Sequence, residues 1–366
     1  MDFGSAPFLA IWETTRACGL ACRHCRAEAL KDRDPGELTT DEGRRLLDAV
    51  ADMGTPIVIL SGGDPLERPD LEGLVRHAKS RGLRVGTIPA ATPKLDRTRV
   101  RGLKEAGLDQ LAFSLDGPTA AEHDEFRGTP GAFDRTLEAA AWAREEGLPL
   151  QVNTCFGAWN IGRIDEMVRL VQGLGVVFWE VFFLVTMGRG KELAGLGPAQ
   201  FEAAFERLHR LAAEKSFIVK ITEAQHYRRF VILKEGASRS SGEARERIRD
   251  ILARPRGVGN GLGLSPEAVN SGKGFVFVDH LGEIYPSGFL PIRAGNVRRD
   301  PLADVYRRSP LFKELRDPAR LKGRCGACEF ASVCGGSRAR AYALTGDYME
   351  TDPCCGYVPE GFKKSQ

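Results

Sequence analysis

Rhythm is the strongest constraint on this chain. Over its first 220 residues, short apolar or β-branched runs alternate with amphipathic stretches. The runs are Phe8–Thr15, Pro56–Ser61, Leu83–Pro89, Gln110–Leu115, Leu148–Phe156 and Val176–Val185. Between and after them, Thr40–Met53, Leu71–Arg81, Arg97–Ala106, Phe133–Glu146, Ile161–Leu174 and Pro198–Glu214 carry helical periodicity. Thr39 followed by Glu42 predicts a capping box at the first helix. Gly54, Gly82, Gly107, Gly147 and Gly175 stand where left-handed residues end helices. Six strand–helix units in series predict an α/β fold, a parallel sheet curled into a partial (β/α)6 TIM-like barrel. In such barrels the chemistry gathers at the C-terminal ends of the strands.

Just past the first predicted strand lie Cys18, Cys22 and Cys25, a C-x3-C-x2-C run. Three thiolates can hold three irons of a [4Fe-4S] cube and leave the fourth open, whereas ordinary ferredoxin sites use four cysteines. A closed structural zinc site wants four ligands too, and only His24, between two of the cysteines, is near. Eight of the nine cysteines cluster at the two ends of the 366 residues. With no basic and apolar leader at the start, that clustering predicts metal ligation in a reducing cytoplasm rather than disulfides. A net charge of +3 gives no argument for nucleic acid, and no apolar run reaches membrane-spanning length.

After the second predicted strand comes Ser61-Gly62-Gly63-Asp64-Pro65. Two glycines there let a backbone approach a ligand closely, and Pro65 stiffens the exit. By itself this is a turn. Paired with the cysteine loop one strand earlier, it resembles the radical S-adenosylmethionine (SAM) superfamily. That resemblance implies that Cys18, Cys22 and Cys25 bind the cluster, and that its open iron chelates the amino and carboxylate groups of SAM. It implies that Gly62, Gly63 and Asp64 receive the SAM amino group and that His24 lies near the adenine. Ser114 and Asp116, in Phe-Ser-Leu-Asp-Gly at the end of the fourth strand, look like the ribose- and SAM-contacting segment. Arg127 is similar to an arginine that meets the SAM carboxylate. A reduced cluster would then split SAM into methionine and a 5′-deoxyadenosyl radical that abstracts hydrogen from substrate. No residue stands out as a general acid or base.

The far end holds Cys325, Cys328 and Cys334, then Cys354 and Cys355. Three of these with one of the last pair can complete a four-thiolate site, for zinc or for an iron–sulfur cluster; spacing does not separate Cys354 from Cys355. The segment, with Gly282-Glu-Ile-Tyr-Pro-Ser-Gly288, resembles the SPASM extension, a C-terminal domain with auxiliary clusters. Asp-Pro-x-Cys-x-Tyr looks like the ending of that family and selects Cys355. Ser287 and Arg338 stand where further cysteines are common, so one auxiliary [4Fe-4S] cluster is expected. The expected organisation is a barrel over 1–220, a bridge over 221–270 and a small iron–sulfur, SPASM-like domain over 271–366. Cys155, inside an apolar run, is expected in the core.

The bridge breaks the rhythm with a charged stretch from Gly236 to Arg249 and a glycine run, Gly257–Gly263, without the context of a P-loop. His226, Arg228, Arg229 and Lys273 are candidates to face the lumen and bind an anionic substrate. Pro-Phe-Leu-Ala-Ile-Trp-Glu-Thr-Thr and Cys-Gly-Gly-Ser-Arg-Ala-Arg-Ala-Tyr-Ala resemble radical SAM proteins of haem and haem d1 biosynthesis, which modify side chains of carboxylate-bearing tetrapyrroles. The expected partners are therefore a small anionic substrate and a low-potential electron donor of ferredoxin or flavodoxin type. Two other readings stay open. One is a maturase of a ribosomally made peptide; the other is a non-catalytic zinc or iron–sulfur scaffold.

Overall fold

A computed structural model describes residues 1–236, 268–360 and 362. The Gly257–Gly263 run, and all of the charged stretch after Gly236, lie outside the described residues.

One ten-stranded sheet organises them. Strands β1 (Leu9–Glu13), β2 (Ile57–Ser61), β3 (Arg84–Thr87), β4 (Gln110–Ser114), β5 (Leu150–Phe156) and β6 (Phe178–Phe183) are the six expected strands, parallel and in chain order. Helices α1 (Thr40–Asp52), α2 (Leu71–Ser80), α3 (Arg97–Glu105), α4 (Ala120–Arg127), α5 (Ala132–Glu145), α6 (Ile164–Gly173) and α7 (Pro198–Glu214) connect and cover them. The capping box forms as the sequence predicts: the Thr39 hydroxyl accepts from the Glu42 N–H at 3.2 Å, and the Glu42 carboxylate accepts from the Thr39 N–H at 2.8 Å. Gly54, Gly82, Gly107, Gly147 and Gly175 all have φ between 66° and 93°, as helix-ending residues need.

Two further parallel strands extend the sheet beyond the six units. β7 (Ile218–Thr222) adds to β6, and β8 (Phe275–Val278) adds to the free edge of β1. Lys220 interrupts the apolar run of β7, which hides it from a hydropathy reading. β8 turns back into β9 (Glu283–Tyr285) and β10 (Gly295–Asn296), an antiparallel edge. The last third of the chain is thus joined to the first strand by main-chain pairing. Helix α8 (His226–Lys234) follows β7.

Paired residues of a parallel ladder face the same side. Large residues such as Trp12, Leu60, Phe113 and Trp179 pack under the helices. The opposite face has two characters. On β8, β1 and β2, Leu9, Ile11, Ile57, Ile59 and Phe275 form a separate apolar cluster. On β5 to β7, Gln151, Asn153, Glu180, Lys220 and Thr222 form a polar wall. Glu180 accepts there from Thr222 at 2.7 Å, Lys220 at 2.8 Å and Gln151 at 2.9 Å.

Candidate active site

The three N-terminal cysteines sit on the loop that leaves β1, and neighbouring strand ends clamp its backbone. From β2, the Gly63 and Asp64 N–H groups donate to the Thr15 and Ala17 carbonyls, both at 2.7 Å. A Cβ on Gly63 would lie 2.4 Å from the Ala17 oxygen, so glycine here is demanded by the cysteine loop itself. After β6, Gly188 has φ 53° and a Cβ there would lie 2.5 Å from the Cys25 oxygen. The Arg189 N–H donates to that same oxygen at 3.1 Å.

Each sulfur on the loop accepts a hydrogen bond. Cys18 takes the Leu20 N–H at 3.4 Å, Cys25 the Ala29 N–H at 3.4 Å, and Cys22 the Arg127 guanidinium at 3.5 Å. Burial nevertheless pushes the Cys18 thiol up to about 12. A sulfur such as Cys18, which accepts an N–H bond where burial disfavours the thiolate, suits a metal whose positive charge offsets that cost.

Arg127, at the end of α4, also pairs with the Asp116 carboxylate, whose other oxygen accepts from the Cys155 N–H at 2.7 Å. Burial works to raise the Asp116 carboxyl, but Arg127, helped by His24 and His123, overrides it and holds the group below the usual carboxylate range. His24 stacks on Phe126 at 4.7 Å, and Phe126 stacks on Trp159 at 4.8 Å. Burial lowers the His24 imidazole to about 4, so it is neutral. Ser114 is half-buried at the end of β4, in register with Asn153. Asp64 spends its carboxylate internally, on Leu66 N–H, Ala90 N–H and the Thr92 hydroxyl. Burial raises it to about 6. The structure therefore gathers His24, Gly62–Asp64, Ser114, Asp116 and Arg127 at one end of the sheet, around the cysteine loop.

Cys155 is only half-buried, in register with Phe182 near the end of β5. It is not a fully enclosed core residue, because it falls on the same face as Asn153, which the sequence could not distinguish from the helix-covered face in a strand so uniformly buried.

A second cavity lies at the other cysteine group. Cys325, Cys328, Cys334 and Cys355 line it together with His226, Arg229 and Arg324. Cys354 turns away and donates to the Leu196 carbonyl at 3.4 Å. Two of the lining sulfurs accept backbone N–H bonds at 3.4 Å, Cys325 from Asp352 and Cys334 from Gly336. Burial raises the Cys328 thiol to about 12 and pushes Cys334 and Cys355 up as well. Ser287 is buried, its hydroxyl accepting from the Phe289 N–H at 3.1 Å. Arg338, also buried, donates to the Tyr348 and Glu350 carbonyls at 2.8 and 2.7 Å and approaches the Cys325 sulfur at 3.6 Å.

The four basic candidates are not brought to the first cysteine loop; they collect around this second group. His226 is fully buried with its ring 4.9 Å from both Phe201 and Phe205, and burial lowers it to about 3. Arg228 donates to the Val269 and Val333 carbonyls, Arg229 pairs with Glu202, and Lys273 donates to the Ser332 carbonyl at 2.9 Å. Their position follows from α8, which carries the first three against the cysteine-bearing segment. The charges of Arg228, Arg229 and Lys273 serve protein carbonyls and a carboxylate there. The polar wall centred on Glu180 went unread in the sequence, because its members are spread over three strands and meet only through register.

Residues 12–171 match the family described as the radical SAM superfamily. The AdoMet-dependent heme synthase of Methanosarcina barkeri is 41% identical over 360 residues, covering 97% of this chain and 98% of that protein. The chain belongs to the radical SAM superfamily. It is accordingly an enzyme, and the radical SAM family implies a [4Fe-4S] cluster and SAM. Among other radical SAM relatives, the pre-heme d1 synthase of Dinoroseobacter shibae is 29% identical, covering 96% of this chain and 87% of that one. The crystal structure of Streptococcus suis SuiB bound to the precursor peptide SuiA superposes with a TM-score of 0.73 at 16% identity. It covers 96% of this chain and 76% of that one, and at this identity the likeness is one of fold. Among the described residues, no helix is long and apolar enough to cross a membrane.

Proposed function

We propose that this radical SAM enzyme abstracts hydrogen from a carboxylate-bearing tetrapyrrole, in a reaction of haem-synthase type. Its end-to-end identity with the Methanosarcina barkeri heme synthase carries this reading. The apolar wall of the lumen supports it, as the face of a flat macrocycle would need. Cys18, Cys22 and Cys25 hold the cluster, with Gly62–Asp64, His24, Ser114, Asp116 and Arg127 around SAM. Bound and reduced, that cluster supplies the electron that breaks a carbon–sulfur bond of SAM. Cys325, Cys328, Cys334 and Cys355 hold one auxiliary [4Fe-4S] cluster in a SPASM-like domain, where Arg228, Arg229 and Arg338 lower the cost of its negative charge. A low-potential ferredoxin or flavodoxin supplies the electron in the cytoplasm.

Peptide maturation is the second reading, favoured by the fold shared with peptide-bound SuiB. Anaerobic reconstitution tests both. About eight irons per chain are expected, from two four-iron clusters, with 5′-deoxyadenosine formed from SAM and dithionite. An iron porphyrin bearing propionates should be consumed in step with SAM. Bound zinc without SAM cleavage would sink both readings. SAM cleavage with no porphyrin turnover, but with modification of a precursor peptide, would move the assignment to the second.

A further inference from the structure

We propose that Arg189 is the receptor for a carboxylate of the substrate, an inference that rests on the tetrapyrrole reading above. Arg189 lies on the short segment that leaves the C-terminal end of β6, where its own N–H and the tight approach of Gly188 fasten it to the main chain of Cys25 and Arg26. Its guanidinium is the anomaly. Nε and Nη2 are both buried, and the side chain has no hydrogen-bond or ion-pair partner among the described residues. Other arginines at this end of the sheet are engaged. Arg16 donates to the Glu28 carbonyl at 3.2 Å, Arg26 pairs with Glu13, and Arg163 pairs with Glu122 at 3.0 Å and Glu166 at 3.2 Å. Arg127 pairs with Asp116.

An ionised guanidinium buried with empty donors is costly, and such groups in native structures are ordinarily completed by a partner. The partner must be an acceptor, and a planar carboxylate matches the two adjacent N–H groups in bidentate fashion. Two carboxylates come to this site, one on SAM and one on the substrate. Arg127 and Arg189 divide them by position. Arg127 touches a cysteine sulfur, Cys22, so it borders the group that chelates the iron. Arg189 contacts no cysteine sulfur: its segment is fastened to the main chain of the cysteine loop and leaves β6, two strands further round the sheet than the β4 that precedes Arg127. The anion it receives is therefore the substrate's.

The test is an anaerobic absorbance titration of the reconstituted protein with an iron porphyrin tetrapropionate and with its tetramethyl ester. Loss of one charge-assisted pair should weaken binding of the acid by about 10- to 100-fold in Arg189→Met. Arg189→Lys, which keeps the charge but not the fork, should fall between. Wild type should prefer acid over ester by a similar factor, and Arg189→Met should lose most of that preference, while SAM affinity stays within about twofold. Equal acid affinity in wild type and Arg189→Met would overturn the proposal alone. So would a variant that loses SAM affinity instead. No saturable porphyrin binding by wild type would overturn the tetrapyrrole reading, and this inference with it.

Discussion

The two cysteine groups differ in the number of their thiols and in how far apart the chain spreads them. Cys18, Cys22 and Cys25 lie within eight residues of each other on one loop, and much of what holds that loop comes from elsewhere: the glycine turn after β2, the Gly188–Arg189 segment after β6, and Arg127 from α4. Cys325, Cys328, Cys334 and Cys355 are spread more widely, with the Asp352 and Gly336 N–H groups of the same C-terminal region donating to Cys325 and Cys334. The first group has three thiols and borrowed support. The second has four, and its backbone is braced in turn by Arg228, Asn270 and Lys273. Borrowed support suits a centre that must leave one iron open and couple it to ligands contributed by several strands. Four thiols suit a centre whose coordination is closed.

Removal of one ligand from each group gives the sharpest contrast. Cys22→Ala should abolish SAM cleavage and lower the iron content from about eight to about four per chain, as read by iron analysis and 5′-deoxyadenosine release. Cys328→Ala should lose the same amount of iron, retain some uncoupled SAM cleavage and impair substrate turnover. Full activity of Cys328→Ala on the true substrate would remove the second group from catalysis. The last cysteine pair should divide just as clearly. Cys355→Ala is expected to lose about four irons, while Cys354→Ala keeps them and loses only about 1 kcal/mol of stability with its bond to Leu196. Equal iron loss in both would break the assignment.

Borrowed support can be attacked from the lender's side. Gly63→Ala places a methyl against the Ala17 carbonyl and should cost about 1–3 kcal/mol. The readout is selective loss of the first cluster's spectrum with the second retained. A smaller effect is expected from His123, whose Nδ1 accepts from the Asp116 N–H at 3.1 Å. Burial lowers its imidazole from 6.5 to about 4. The unfolded chain therefore binds this proton first as pH falls. Stability present above pH 6.5 should decline towards pH 4, by at most about 3 kcal/mol. Urea unfolding at several pH values should show a flatter decline in His123→Gln.

Much of this architecture was legible from periodicity and spacing. β1 to β6, the Thr39–Glu42 cap and the helix-ending glycines are local features, and local sequence dictates them. The first cysteine loop was legible because three ligands fall within one turn of chain at the end of a strand. Less was visible where distant segments meet. The pairing of β8 with β1 joins residues far apart in sequence, and nothing in either strand names its partner. Gly62 and Gly63 read as room for a ligand, yet their nearest neighbours are the carbonyls of the cysteine loop. The basic side chains on α8 read as a substrate surface, because charge alone does not reveal that carbonyls and carboxylates of the same chain already occupy them.

The junction of β8 with β1 also sets an order of events during biosynthesis. A chain emerging from the ribosome can assemble its strands from the N-terminus onwards, but one edge of β1 stays bare until Phe275–Val278 has been made. The three cysteines follow that strand directly. For most of translation they hang from an unfinished sheet, and iron loaded before β8 has emerged would enter a scaffold with one side missing. Maturation of the first centre is thereby tied to synthesis of a strand more than 250 residues downstream of β1.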